Sequence, residues 1–153
     1  MARVVRRRRI AAPPGALWSV IADPYHLPRW WPRTQRVENV SEGAVAERSW
    51  TQVLETNDGR GVRADYRCVE ASPEHRYVFE QTLEHTPFER FVRWARTEIE
   101  LAPHDGETDV TMALDRRLRG LSRLGAPMMR RAIGRTLDQA LAGLETTAKG
   151  GSG

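Results

Sequence analysis

Cysteine and lysine are almost absent: Cys68 and Lys149 are the only representatives of their kinds. A single thiol excludes an intramolecular disulfide and any zinc site built on several cysteines. Apolar runs are short, none approaching the roughly 20 residues that a bilayer-spanning helix requires, so no stable membrane insertion is expected. The N-terminus reads Met1-Ala2-Arg3 and soon becomes a run of arginines. It lacks the apolar stretch and small-residue cleavage site of a secretory signal, which makes a cytoplasmic location the expectation. Histidine is sparse, and His26, His75, His85 and His104 show no H-x-x-x-H or H-E-x-x-H spacing. No metal site is expected from them. There is no G-x-S-x-G, P-loop or G-x-G-x-x-G pattern, hence no expected catalytic residue of those kinds and no cofactor.

What is present describes an ordinary soluble domain. The chain has 153 residues, 40% of them hydrophobic and 29% charged. That suits one unit with its own core, taken as residues 1–149, followed by a flexible Gly/Ser tail at 150–153. Lys and Arg number 24 against 20 Asp and Glu, a formal charge of +4. So small an excess favours solubility more than it argues for a polyanion. The Arg6–Arg9 run comes with no aromatic-and-basic RNA-binding motif, so no nucleic-acid partner is expected. A monomer and a homodimer are both compatible with the composition.

Periodicity sets the order of elements. Val4 to Ile10 is a first strand whose arginines point to both faces, so one face is open to water or the arginines are paired. After Pro13-Pro14-Gly15, Leu17, Val20 and Ile21 fall at helical spacing, and Asp23-Pro24 ends that helix. Tyr25 to Trp31 is a second short helical turn stopped by Pro32. Segments 34–41, 45–56, 61–71, 76–85, 89–102 and 108–118 are rich in Val, Thr, Tyr, Phe and Trp and are separated by turn residues such as Asn57-Asp58-Gly59 and His104-Asp105-Gly106. They predict an antiparallel meander. From Leu121 to Leu144, apolar residues recur at three- and four-residue steps, forming the stripe of a long helix with its start or a kink at Pro127. The fold class is α+β: a twisted sheet of about seven strands with one face covered by the C-terminal helix.

This order resembles the START-like (SRPBCC) superfamily, and its polyketide cyclase/dehydrase and lipid-transport branch in particular. The residues that carry the resemblance are Ile10-Ala11-Ala12-Pro13-Pro14 before Leu17-Trp18, then Asp23-Pro24 and Trp30-Trp31-Pro32, with later matches at Thr86-Pro87-Phe88-Glu89, Gly106 to Thr111 and Leu118 to Leu121. The resemblance implies a helix-grip architecture with a ligand cavity between the curved sheet and the long helix. It does not by itself assign chemistry, because one fold hosts many functions.

Strand parity supplies candidates for that cavity. Val62, Ala64, Tyr66 and Cys68 share a face; so do Tyr77, Phe79, Gln81 and Leu83; so do Val110, Met112 and Leu114; Trp50, Gln52 and Leu54 form a fourth set. Trp30 and Trp31 stand at the expected mouth, where an aromatic either closes a pocket or packs the short helices on the sheet. Arg93 is in phase with Ile99 and Leu101. Either it points inward, where a buried cation needs a ligand carboxylate, enolate or phenolate, or a β-bulge turns it out and Trp94 in. Met129 and Ile133 lie on or beside the helix stripe. The expected ligand site is therefore Trp30, Trp50, Tyr66, Phe79, Gln81, Arg93, Met112, Met129 and Ile133. Asp65 between Arg63 and Arg67 reads as a solvated, cross-paired strand face, and Cys68 as a small buried apolar residue.

Three functions compete. The first is binding or carriage of a small hydrophobic or aromatic molecule, polyketide-, lipid- or quinone-like. The second is a cyclase, aromatase or dehydratase acting on such a molecule in the same cavity, with Arg93, Tyr66 and Gln81 stabilising an enolate. The third is a protein-interaction module.

Overall fold

The computed structural model describes residues 2–56, 58–83, 92–118 and 126–150. Its strands and α-helices run β1 (Ala2–Ile10), α1 (Pro14–Ile21), α2 (Leu27–Trp30), β2 (Thr34–Glu38), β3 (Ser49–Glu55), β4 (Gly61–Ser72), β5 (Arg76–Thr82), β6 (Val92–His104), β7 (Glu107–Leu118) and α3 (Ala126–Gly150). Every strand pair is antiparallel, in the spatial order β1-β7-β6-β5-β4-β3-β2. This is the expected α+β helix-grip arrangement: a meander from β2 to β7, closed at one side by β1.

Local chemistry explains most boundaries. Pro14 opens α1, where its missing N–H leaves nothing unsatisfied. The Asp23 carboxylate accepts from the Tyr25 amide and caps a 3-10 turn over Pro24–His26. Asp105 and Gly106 both take positive φ (49° and 83°) between the paired residues His104 and Glu107. That is the two-residue turn whose twist matches its flanking strands. Several boundaries differ from the sequence expectation: the strand expected over 76–85 ends at Thr82, and the one expected over 89–102 runs on to His104. The strand expected over 34–41 stops at Glu38, because Asn39 turns to φ 53°. The strand expected from 45 begins at Ser49, after a 3-10 turn over Val45–Glu47. Thr86–Glu89, Leu121 and Leu124 lie outside the described residues, as do 151–153, while Gly150 ends α3.

The core lies between the sheet and α3. Ile133, Leu137, Ala140, Leu141 and Leu144 are at most 2% exposed and form the stripe that faces Val4, Ile10, Ile99, Val110 and Met112. Register shifts at Thr34/Arg36, Cys68/Glu70 and Val92/Trp94 bend the strands and help curl the sheet.

The β1 arginines are accommodated on both faces by ion pairs. In phase with Val4 and Ile10, Arg6 and Arg8 reach Asp138 and Glu145 of α3, each at 3.4 Å. On the other face Arg9 binds Asp109 at 2.8 Å, and Arg3 binds Glu98 at 3.1 Å. Cross-strand pairing continues along that outer face, with Arg63 on Glu38, and Arg67 and Arg96 on Glu80. Asp65 instead accepts from the Thr51 hydroxyl.

Candidate functional site

The inward strand positions do not all meet α3. Where the helix stripe ends toward its N-terminal part, sheet and helix diverge around a cavity of about 270 Å³. Its floor is a set of in-phase residues: Leu54 of β3, Val62 and Tyr66 of β4, Gln81 of β5, Ala95 and Thr97 of β6, Leu114 and Arg116 of β7. Thr136 and Gln139 of α3 form the roof, and Trp31-Pro32-Arg33 with Glu55 and Thr56 form the front. Ala95, Thr97 and Leu114 are buried, whereas Arg33, Glu55 and Gln139 are exposed. The cavity therefore has an enclosed inner end and an open mouth. The mouth is pinned by the Glu55 amide, which donates to the Arg33 carbonyl at 2.8 Å. Arg33 itself sits at φ 62°, a conformation that non-glycine residues seldom adopt.

One wall is aromatic. Phe79 packs against Trp31, Trp50, Tyr66 and Tyr77 with ring centroids 5.6–5.9 Å apart. Tyr66 stacks on Trp50 at 6.1 Å, the planes tilted by 12°. Behind that wall the Trp50 indole N–H donates to Gln52 Oε1, and Gln52 Nε2 donates to the Thr34 hydroxyl. Gln52 is 1% exposed, so this relay satisfies polar groups that would be costly to bury alone. It fixes Trp50, and through it the Tyr66 ring.

Polar groups are set among the apolar ones that line the cavity. Gln81, Thr97, Thr136 and Gln139 line it, and among the described residues no side-chain hydrogen bond engages them. Burial pushes the Tyr66 phenol above its ordinary value, and the nearby Arg116 charge pulls it partway back. At neutral pH the hydroxyl is protonated and able to donate. Arg116 Nη1 lies 3.6 Å from the Met129 sulfur, a weak acceptor.

Of the residues expected from sequence, Tyr66 and Gln81 line the cavity. Met129 is half-buried and touches it indirectly through Arg116. Trp30, Trp50, Phe79, Met112 and Ile133 are all at most 2% exposed and belong to the packed core. They support the cavity rather than line it. Burial explains the difference: strand parity assigns a face, and most of that face is covered by α3. The Arg93 side chain lies outside the described residues. A register shift does occur between Val92 and Trp94, but it leaves Trp94 on the outer face. There its ring lies 5.1 and 4.9 Å from the guanidinium carbons of Arg96 and Arg117. Arg116 is the functional candidate that sequence reasoning missed. The signal was available, since Arg116 continues the two-residue phase of Val110, Met112 and Leu114. The surrounding Asp115-Arg116-Arg117 triplet disguised it as a solvent-exposed strand end.

Among the described residues, no three His, Cys, Asp or Glu side chains converge on a point that could hold a metal ion. No described helix is long and apolar enough to cross a membrane. Cys68 is buried, and burial raises its thiol pKa.

The sequence model of the polyketide cyclase/dehydrase and lipid-transport family matches residues 1–149. No curated protein matches in sequence. Among solved structures, a protein of Thermus thermophilus superposes with a TM-score of 0.80 at 19% identity, over 99% of each chain. A START superfamily protein of Mycobacterium smegmatis gives 0.78 at 14% identity, over 97% of this chain and 98% of that one. The di-domain ARO/CYC StfQ of the steffimycin biosynthetic pathway gives 0.80 at 13% identity, with 99% of this chain on 51% of that one. At these identities the likeness is one of fold.

Proposed function

Because the chain belongs to the polyketide cyclase/dehydrase and lipid-transport family, we propose that it binds a small apolar, largely planar molecule in the cavity between sheet and α3. The observation that carries this reading is the cavity itself. It offers about 270 Å³ with apolar surface from Trp31, Leu54, Val62, Ala95 and Leu114 and polar side chains set among them, one end enclosed and the other open. Such a site gains affinity by removing apolar surface from water, at roughly 25 cal/mol per Å² before the costs of association. Its polar groups fix orientation. Tyr66 and Trp31 present ring faces and edges suited to an aromatic guest.

A second reading is favoured by one specific feature. Arg116, Tyr66 and Gln81 share the same cavity, so a bound carbonyl compound would meet a cation and two neutral hydrogen-bonding groups. That combination can stabilise a developing enolate, the chemistry required of a cyclase or dehydratase.

The binding reading is tested with N-phenyl-1-naphthylamine, a neutral apolar dye whose emission rises when it leaves water. It is expected to bind the native protein at about one site. Ala95→Phe, which fills the inner end, is expected to abolish that binding while leaving the far-UV spectrum intact. Ala95 is the better position for such filling than Ala64, which is 0% exposed and does not line the cavity. Saturable binding unchanged by Ala95→Phe would place the dye elsewhere and refute the reading.

A further inference from the structure

Many arginines of this protein are neutralised in place. Arg3, Arg6, Arg8, Arg9, Arg63 and Arg96 each have a carboxylate oxygen within 4 Å. Arg116 is not among them, and it lines the cavity between sheet and α3. Strand parity turns it inward behind Leu114, and its cross-strand neighbour is Ala95, whose small side chain leaves room for the guanidinium. Among the described residues no carboxylate lies within 4 Å of it, and its only hydrogen-bond contact is the Met129 thioether. Arg116 is half-buried, and a partly desolvated cation facing the apolar floor of a cavity is stabilised by an anion beside it. The described lining offers one carboxylate, Glu55, and that residue stands exposed at the mouth.

We propose that Arg116 is the anchor for a negatively charged oxygen group of the ligand, so that the cavity selects a flat apolar acid over its neutral counterpart. This rests on the binding reading above and specifies its ligand class. The guanidinium fork can engage a carboxylate, sulfonate or enolate with two parallel N–H donors. The Tyr66 hydroxyl and the Gln81 amide, on paired positions of β4 and β5, supply neutral donors on the same floor. Leu54, Val62 and Leu114 accept the hydrocarbon part.

Two dyes that differ by one charged group test it: 8-anilinonaphthalene-1-sulfonate and N-phenyl-1-naphthylamine, the same skeleton without the sulfonate. Wild-type protein is expected to hold the sulfonate at least about tenfold more tightly, the lower end for a charge-assisted hydrogen bond. Arg116→Met is expected to remove that preference while still binding the neutral dye. Arg7→Met, which deletes one positive charge on the outer face, is expected to preserve it. Should Arg116→Met fail to fold by circular dichroism, Arg116→Gln serves the same comparison. Equal affinity for the two dyes in wild type, or a preference that survives loss of Arg116, overturns the anchor and leaves the apolar binding site standing. Failure of wild type to bind either dye overturns the binding reading and the anchor with it.

Discussion

Gly143 of α3 lies directly against the backbone of Trp30: a Cβ at Gly143 would stand 2.5 Å from the Trp30 carbonyl oxygen and 2.9 Å from its Cα. The contact joins the last turn of α2 to the long helix, and neither partner is a side-chain tip that can swing away. Gly143→Ala is therefore expected to destabilise the fold despite alanine's better helix propensity. The cost is on the order of 1–3 kcal/mol, as for overpacked interiors. Urea unfolding followed by circular dichroism measures it. A neutral or stabilising result would mean that α2 does not dock on α3 this closely.

Ile133 and Leu137 are 1% and 0% exposed at the centre of the helix stripe. Ile133→Asp or Leu137→Asp places an unpaired carboxylate there, with an expected loss of about 3–5 kcal/mol. Soluble variants with wild-type unfolding midpoints would contradict the packing of α3 on the sheet.

Acid should weaken the molecule through its surface pairs. The hydrogen bond from Arg9, then the Arg9 charge, holds the Asp109 carboxyl below its ordinary value; hydrogen bonds from Arg36 and Arg63 do the same for Glu38. A carboxyl depressed in the folded state contributes stability above its unfolded pKa, about 3.9 for Asp and 4.3 for Glu, and loses it as pH falls through the folded value. Unfolding midpoints measured from pH 6 down to pH 2 should fall below about pH 4. The Asp109→Asn and Glu38→Gln double variant should fall less steeply. Both carboxylates are solvent-accessible, so the difference will be small.

The Arg6–Arg9 run is expected to bind neither DNA nor RNA tightly at physiological salt. Three of its four side chains are already committed to Asp138, Glu145 and Asp109. Fluorescence anisotropy with labelled duplex and single-stranded oligonucleotides measures this. Tight binding that weakens steeply as salt rises would overturn the expectation.

The architecture was legible because its signals are local and repeated: turn residues between β-rich segments, and an apolar stripe from Ile133 to Leu144, although Met128, which falls at the same spacing, is 77% exposed. The face of each strand was legible for the same reason, as Val62, Ala64, Tyr66 and Cys68 illustrate. The boundary between core and cavity was not. Phe79 and Gln81 share a phase on β5, yet Phe79 is enclosed by four rings and Gln81 borders the cavity. What separates them is how far α3 extends over the sheet, a tertiary quantity that no strand pattern contains. Arg93 attracted attention because it interrupts an apolar phase, whereas Arg116 ends one and looked ordinary.

The strand order has a consequence for how the molecule is made. From β2 to β7 each strand pairs with its neighbour in sequence, but β1 pairs only with β7, Ala2 opposite Arg116 and Ile10 opposite Thr108. β1 is made before the whole meander and must wait for β7. Closing so long a loop puts a large entropic cost ahead of its reward, which slows folding and leaves the β7 edge open in the interim. The strand that carries Arg116 is then the last to be locked in place. A chain that stops short of β7 can hold much of the meander and still lack the β7 side of the cavity, Leu114 and Arg116.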